Sequence, residues 1–125
     1  MSILKEKSGK FADRIMLLHG YLHTTKKEFV VSKQIVRSGT SIGANISEAN
    51  RASSLKDFVS KMNIAAKECS ETEYWLERLK GSRYITNEQF DSIHNDCLEL
   101  GKMLTSTIKT ATAKLYKKKE LTTIN

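Results

Sequence analysis

Two pairs of residues have a spacing that suits metal binding. His19 and His23 lie four positions apart, which places both imidazoles on one face of a helix. Asp91 and His94 form a single DxxH pair, whereas di-iron four-helix bundles use two ExxH pairs and two further carboxylates. Neither pair has a third candidate ligand nearby in the sequence. We therefore predict no metal site and no cofactor.

The stretch RSGTSIGANISEANR has the small residues of a phosphate-binding loop. A Walker loop needs a lysine after its last glycine, and a dinucleotide loop needs a preceding strand and a third glycine, and these are missing here. A helix accounts for more, because Ile35, Ile42 and Ile46 then share one face, with Gly39 and Gly43 beside them. A glycine inside a helix costs about 1 kcal/mol relative to alanine. We therefore predict that a neighbouring helix backbone approaches these glycines closely.

Cys69 and Cys97 lie inside apolar helical patterns and lack CxxC spacing. We expect both to be reduced core residues of a cytoplasmic protein. No grouping of serine, histidine, aspartate or cysteine can be argued to form a site for nucleophilic catalysis, since three histidines without a motif around them are uninformative. The first residues lack the features of a signal peptide, and no segment approaches the ~18 apolar residues of a membrane span, so we expect no membrane partner.

Four apolar stripes with alternating spacings of three and four residues predict four amphipathic helices. In chain order, the stripes are Phe11, Ile15, Leu18 and Leu22; Val31, Ile35, Ser38, Ile42, Asn45 or Ile46, and Ala49; Phe58, Met62, Ala65, Cys69, Thr72, Leu76 and Leu79; and Phe90, Ile93, Cys97, Leu100, Leu104, Thr107 and Ala111. We expect the helices at about residues 9–23, 26–51, 55–80 and 87–115.

Polar residues near these boundaries provide capping groups. The pairs with capping-box spacing are Thr25 with Glu28, Ser54 with Asp57, and Thr86 with Gln89. Gly81 is the expected C-cap of the third helix. After about Leu115 the apolar pattern is lost, and we expect the C-terminal tail to fray.

Four helices joined by short turns predict one all-α domain spanning residues 1–125. The expected architecture is an antiparallel, up-down-up-down four-helix bundle. A period near 3.5 residues predicts a left-handed bundle with helices crossing at about 20°. The absence of proline suits long, uninterrupted helices.

Basic residues are concentrated towards the two ends of the sequence. The net charge is +7, with eight bases and three acids in residues 1–37 and five bases and one acid in residues 106–125. Such a surface can bind the phosphate backbone of RNA or DNA with strong salt dependence, although a solvated basic surface is the alternative. The candidate contacts are Lys5, Lys7, Lys10, Lys26, Lys27, Lys33, Arg37, Lys114, Lys117, Lys118 and Lys119. Because the bundle brings both chain ends together, we expect the first three lysines to neighbour the last four.

A second stripe on the third helix runs beside the core stripe and contains Ile64, Glu68, Glu71 and Trp75, with Tyr74 further round. Tryptophan and tyrosine are enriched at subunit interfaces, so we predict self-association; a half-exposed residue at the rim of the bundle is the alternative. The candidate residues for helix packing or an oligomer interface are Gly39, Ile42, Gly43, Asn45, Ile46, Glu48, Ile64, Tyr74 and Trp75.

The central sequence resembles a small bacterial four-helix-bundle family, whose founding members are encoded by intervening sequences in large-subunit ribosomal RNA genes. The pattern R-S-x-x-S-I-x-x-N-I-x-E-A falls on Arg37, Ser38, Ser41, Ile42, Asn45, Ile46, Glu48 and Ala49. The segments KFADRIMLL and KECSETEYWL are also similar to the family, so the likeness covers most of the chain. The accessory variability protein of diversity-generating retroelements looks like a relative.

The resemblance implies a non-enzymatic bundle that assembles into a ring, typically a homopentamer. The retroelement relative is thought to bind nucleic acid and a reverse transcriptase through a basic surface. We therefore expect a homo-oligomeric, nucleic-acid-binding accessory protein whose partners are its own copies, RNA or DNA, and a reverse transcriptase or another protein. A protein–protein assembly or adaptor module without a nucleic-acid role is the alternative.

Overall fold

The computed structural model describes residues 2–124, and these residues form four α-helices and no strand. In chain order the helices are α1 (Ile3–Thr24), α2 (Val31–Ala49), α3 (Leu55–Gly81) and α4 (Asn87–Ile124). Helix α2 packs against α1 and α3, and α4 packs mainly against α3 and less extensively against α1. The prediction of an all-helical chain with four helices is confirmed. No helix in this part of the chain has an apolar stretch that could span a membrane.

The apolar stripes predicted from the sequence form one shared core. The buried members of α1 and α2 include Phe11, Ile15, Leu22, Ile35, Ile42 and Ile46, and those of α3 and α4 include Met62, Leu76, Leu79, Leu100 and Leu104. Each large aliphatic side chain of this kind contributes roughly 1.5–3 kcal/mol when it leaves water. Leu18, Phe58 and Ile108 are half-buried at the edge of the core.

Helix α1 lies against the small residues of α2. A Cβ atom placed on Gly39 would lie 2.7 Å from Cγ2 of Ile15, and one on Gly43 would lie 3.3 Å from Oγ of Ser8. A neighbouring helix does approach both glycines, and its backbone takes part at Gly43, where the Ser8 carbonyl oxygen would lie 3.6 Å from the added Cβ. The group that fills the space at Gly39 is the Ile15 side chain, not the backbone that we expected.

Two predicted helix starts are wrong. Helix α1 begins at Ile3, not near residue 9, because the Ser2 side chain caps it by accepting a hydrogen bond from the backbone N–H of Lys5. Helix α2 begins at Val31, not near residue 26. The predicted capping pair at Thr25 does not form, and Glu28 caps α2 from outside the helix.

The Glu28 carboxylate is the principal cap of α2. It accepts hydrogen bonds from the backbone N–H groups of Val30, Val31 and Ser32 at 3.1, 3.0 and 2.7 Å. Burial opposes ionisation of this side chain, but the three backbone hydrogen bonds outweigh burial and hold the pKa of Glu28 below its ordinary value. A charged group thus fixes the turn between α1 and α2.

The caps predicted for α3 and α4 are confirmed. Ser54 accepts a hydrogen bond from the backbone N–H of Asp57, and Thr86 exchanges hydrogen bonds with Gln89 at 2.8 and 3.1 Å. Gly81 is not the C-cap that we predicted, because it is the last residue of α3 and has no positive φ. Arg83 takes the left-handed conformation instead, with φ of 63°.

The C-terminal tail is helical, so the prediction that it frays after residue 115 is wrong. Helix α4 contains 38 residues and is about 57 Å long. Ala111 is the last buried side chain through residue 123. Among residues 112–123, Thr112 and Leu115 are half-buried and the others are exposed. The end of α4 therefore continues as a helix that is mostly exposed to solvent.

Candidate nucleic-acid interface and association surface

The connections at residues 25–30 and 82–86 lie at one end of the molecule, which we call the loop end. Ile85 of the second connection lines a groove together with Leu18 and Tyr21 of α1, close to the first connection. Lys26 and Lys27 lie in the first connection and are exposed. The ammonium group of Lys26 lies 5.9 Å from the centre of the Tyr21 ring.

Three further bases at the loop end were missed by the sequence analysis. Arg78 and Lys80 lie in the last turn of α3, and Arg83 follows in the connection to α4. Arg78 lies over the Tyr74 ring at 5.1 Å, and Lys80 lies over the Phe90 ring at 4.5 Å. Residues 38–81, which include Arg78 and Lys80, carry six bases and six acids, and Arg83 lies in residues 82–105, which carry two bases and four acids. The signal that could have found them is the grouping R-x-K-x-x-R around Gly81.

None of these five bases takes part in an ion pair within residues 2–124. Aromatic faces hold three of them in place without neutralising their charge. Lys33 of α2 is also exposed and makes no ion pair in this part of the chain. The loop end is therefore a basic surface whose charges are available to an anion.

Arg37 is placed differently from the other predicted contacts. Its guanidinium forms ion pairs with Glu68 and Glu71 of α3, the former at 2.9 Å. The indole N–H of Trp75 donates to the same Glu71 carboxylate at 3.0 Å, and this hydrogen bond, together with the one from Arg37, lowers the pKa of Glu71. Arg37 thus ties α2 to α3, and its charge is already paired.

The lysines of α1 lie beside acids. Lys7 pairs with Glu99 of α4 at 2.9 Å, and Lys10 pairs with Glu6 at 3.2 Å, while Lys5 is exposed. Lys114 lies 15 residues beyond Glu99 on α4, a distance of about 22 Å along the helix. For Lys7, the predicted proximity to the tail lysines is therefore wrong.

The tail lysines lie beside the start of α3. Lys118 and Lys119 line a groove of about 420 Å³ together with Ser54, Leu55 and Lys56. Lys114 lines the next groove along α4, and Lys117 is exposed. These lysines form a second basic surface near the N-terminus of α3, where the helix dipole also favours anions.

The predicted association residues divide into buried and accessible groups. Gly39, Ile42 and Ile46 are buried within the chain, so they serve helix packing and are not available to a second subunit. Gly43 faces Ser8 of α1. The other members are partly or fully accessible, and they are Asn45, Glu48, Ile64, Tyr74 and Trp75.

Within this accessible group, the polar residues are satisfied inside the chain. The Asn45 side chain donates to the carbonyl oxygen of Ser41 at 2.8 Å, and Glu48 pairs with Lys61 at 3.5 Å. Trp75 is half-buried against the core and bonded to Glu71. Tyr74 is 51% exposed and meets Trp75 edge to face.

An apolar groove between α1 and the start of α4 was not foreseen. It has a volume of about 510 Å³ and is lined by Leu17, Leu18, Tyr21, Ile85 and Ile93, with Arg14, Glu88, Gln89 and Ser92 at its polar parts. Leu17 is 77% exposed, and the adjacent Met16 is also exposed. The apolar run Met16–Leu17–Leu18, which is wider than one helical stripe, is the sequence signal for this surface.

The histidines make ordinary contacts. His19 and His23 lie with ring centres 5.9 Å apart, and His23 meets Phe29 edge to face. His94 is bonded through Nε2 to Glu73 at 2.9 Å, so its partner is on α3 and is not Asp91. Among the described residues, Glu73, Glu77 and His94 are the one group of three or more potential ligands close enough to share a metal ion. The hydrogen bond between His94 and Glu73 already explains why these two side chains lie close together.

Comparisons with known proteins cover most of the chain. A family model described as 23S rRNA-intervening sequence protein matches residues 2–106. The chain is also similar to a protein of unknown function from the S23 ribosomal protein family of Bacteroides thetaiotaomicron, whose crystal structure aligns with a TM-score of 0.85 and 58% sequence identity. That alignment covers 86% of this chain and 96% of the other. No curated protein matches.

Proposed function

We propose, since this chain belongs to the 23S rRNA-intervening sequence protein family, that it is a non-enzymatic, homo-oligomeric accessory protein that binds the phosphate backbone of nucleic acid. The observation that carries the proposal is the set of five bases at the loop end that make no ion pair in residues 2–124. These bases lie within the residues that the family model matches, whereas the tail lysines lie beyond residue 106. The loop end is therefore the principal contact, and the tail is an addition to it.

Binding of this kind needs charge without base recognition. Lysine and arginine release counterions from phosphates, so the affinity falls steeply as salt rises and depends little on sequence. Arg78 and Lys80 project from one end of α3 beside Arg83, and all three line one groove of about 520 Å³. Glu77 also lines this groove, so a backbone phosphate there would meet three cations and one carboxylate.

The proposed topology is up-down-up-down. The ion pairs between α1 and α4 and between α2 and α3 support it. In both cases, residue numbers rise along one helix as they fall along its partner. Going up α1 from Lys7 to Arg14, the partners on α4 go down from Glu99 to Asp96. The contacts between α2 and α3 follow the same rule, since Arg37 meets Glu68 and Glu71 while Glu48 meets Lys61.

The proposed assembly is a ring, with five copies as the expected number. Exposed apolar side chains on opposite flanks of the chain support self-association, namely Met16 and Leu17 on α1 and Ile64 and Tyr74 on α3. A ring would repeat the loop end around its axis and multiply the phosphate contacts. Light scattering on the purified protein tests this, and a monomer at micromolar concentration would contradict it.

The test of binding uses a matched pair of triple variants. Lys26→Glu, Lys27→Glu and Arg83→Glu change the loop end, and Lys117→Glu, Lys118→Glu and Lys119→Glu change the tail by the same charge. Binding to structured RNA and to duplex DNA is measured by fluorescence anisotropy at several salt concentrations. We expect the loop-end variant to lower the slope of log affinity against log salt by about three, since each phosphate contact contributes about one.

We expect the tail variant to change that slope by less than the loop-end variant does. Equal reductions of the slope in the two variants would show that binding depends on net charge alone and not on a defined surface. No binding by the unmodified protein even at low salt would eliminate the nucleic-acid role.

A second candidate function is that of an assembly module whose partner is another protein. The apolar groove between α1 and α4 favours it, because the groove is open and Leu17 beside it is largely exposed. Leu17→Lys tests this candidate in a pull-down with nuclease-treated extract. Loss of a specific partner with unchanged RNA affinity would favour the assembly role, and retention of every partner would count against it.

A further inference from the structure

Two thiols face each other between α3 and α4. The sulfur atoms of Cys69 and Cys97 are 3.9 Å apart, and each lies near the other residue's carbonyl oxygen, at 3.4 and 3.5 Å. Both side chains are free thiols and are buried, with 4% and 2% of their surface exposed. A disulfide requires about 2.05 Å, so the two side chains must rotate to bring the sulfurs to bonding distance.

The two thiols also line a groove of about 580 Å³ on the surface between α3 and α4. Gly101 forms part of its wall, and a Cβ atom placed there would lie 3.8 Å from the sulfur of Cys69. Since glycine carries no side chain, no Cβ atom covers the Cys69 sulfur at this point. The groove is therefore the side from which a small molecule would approach the sulfur.

The pair is chemically unequal. The hydrogen bond from Cys97 lowers the pKa of Cys69, although burial acts in the opposite sense. The same interaction and burial raise the pKa of Cys97. Cys69 is thus the better nucleophile, and Cys97 is the thiol that keeps its proton.

We propose that Cys69 and Cys97 form a modification site that a small hydroperoxide oxidises to a reversible disulfide between α3 and α4. In the first step the Cys69 thiolate attacks hydrogen peroxide, an S–O bond forms, the O–O bond breaks and hydroxide leaves. Cys97 gives its proton to that hydroxide, which becomes water. In the second step the Cys97 thiolate attacks the Cys69 sulfenic acid.

The second step forms the S–S bond and breaks the S–O bond. Cys69 releases its proton to bulk water when it becomes a thiolate, and the departing hydroxide takes one proton from bulk water and leaves as the second water. In total, two thiols and one hydrogen peroxide give one disulfide and two waters, so the sulfurs are oxidised and the peroxide oxygens are reduced. A small dithiol such as dithiothreitol reverses the modification by exchange.

The test uses the full chain, reduced and then exposed to hydrogen peroxide, with intact mass measured after alkylation in denaturant. We expect the unmodified protein to lose two hydrogens in mass and to carry no alkyl group, and dithiothreitol to restore two alkylatable thiols. Cys97→Ser should stop at a sulfenic acid that dimedone traps. In Cys69→Ser we expect about tenfold slower oxidation of the remaining thiol, because burial still raises the pKa of Cys97 when Cys69 is absent.

The experiment on the unmodified chain does not depend on whether a variant folds. Two thiols that remain alkylatable after a peroxide treatment that oxidises free glutathione would overturn the proposal. A covalent dimer, which would place the disulfide between chains, would also overturn it. Circular dichroism of each variant shows whether a lost reaction reflects lost structure.

Discussion

The contact between α1 and α2 and the contact between α3 and α4 use glycine in different ways. At Gly39 the neighbouring Ile15 fills the space that a Cβ atom would need, with three atoms between 2.7 and 3.2 Å. At Gly101 the nearest atom to a built Cβ is the Cys69 sulfur at 3.8 Å, and a groove of about 580 Å³ opens beside it. A helical glycine therefore marks a required close approach only where the partner helix places atoms closer to it than ordinary van der Waals contact.

The two connections also differ in the group that caps the helix after each of them. The turn into α2 depends on the buried Glu28 carboxylate, whereas the turn into α4 depends on the neutral pair Thr86 and Gln89 at the surface. Both satisfy backbone N–H groups that a helix start leaves unpaired. Only the first makes the start of a helix depend on pH.

The largest difference between the two contacts is expected from alanine at the two glycines. Gly39→Ala should lower the free energy of unfolding by about 1–2 kcal/mol, because the clash with Ile15 exceeds the gain in helix propensity. Gly101→Ala should raise it by about 0.5–1 kcal/mol, since its Cβ meets only an ordinary contact. Urea unfolding followed by circular dichroism measures both. Stabilisation by both substitutions would show that α1 can move away from α2.

Removal of the charge at the first connection should have the next largest effect. Glu28→Gln should cost about 1–2 kcal/mol at pH 7, because a carboxylate accepting three backbone hydrogen bonds is replaced by a neutral amide. The pKa of Glu28 is lowered in the folded protein, so its contribution is present above the ordinary pKa of glutamate and is lost as pH falls through the folded value.

The measurement for Glu28 is the unfolding free energy of both proteins in urea between pH 7 and pH 3. The difference between them should shrink as the pH falls. A difference that stays constant over this range would assign the role of Glu28 to its shape and not to its charge.

The second connection supplies the matched case without charge. Thr86→Ala should cost about 0.5–1 kcal/mol, because the backbone N–H of Gln89 loses its acceptor in an exposed position. Over the same pH range this cost should remain constant. A pH dependence as large as that of Glu28→Gln would remove the contrast between the two turns.

The smallest effect is expected from shortening α4. Deletion of residues 116–125 should change the unfolding free energy by less than about 0.5 kcal/mol, because the deleted part that the structure describes has exposed side chains through residue 123. The thermal midpoint of the shortened chain checks this. A large loss would show that the end of α4 packs on another copy of the protein.

Local patterns predicted most of the fold. The three-and-four spacing of apolar residues identified the buried faces, and Ser54, Thr86 and Gln89 were identified as caps because capping acts over three residues. Glu28 was assigned to the wrong helix position, since its spacing from Thr25 matched a capping box that the backbone does not form. The tail was expected to fray because it lacks an apolar stripe, yet it continues as helix through Ile124.

The candidate site was less predictable. Lys26, Lys27 and Lys33 were identified from charge, but Arg78 and Lys80 were hidden in a segment of zero net charge and Arg83 in an acidic one. Arg37 was predicted as a phosphate contact, and its pairing with Glu68 and Glu71 depends on residues more than 30 positions away. The self-association stripe included Trp75, whose indole is bonded within its own chain.

The sequence alone determined that the chain forms four helices and which side of each helix faces the core, because helix periodicity and capping depend on residues within one or two turns. Only the tertiary structure decided which charges are paired, which glycines are in close contact and which cysteines face each other. Those properties depend on the relative positions of different helices, and these are set by packing between residues far apart in the chain. Cys69 and Cys97 illustrate this, since 28 residues separate them in sequence and 3.9 Å separates their sulfurs.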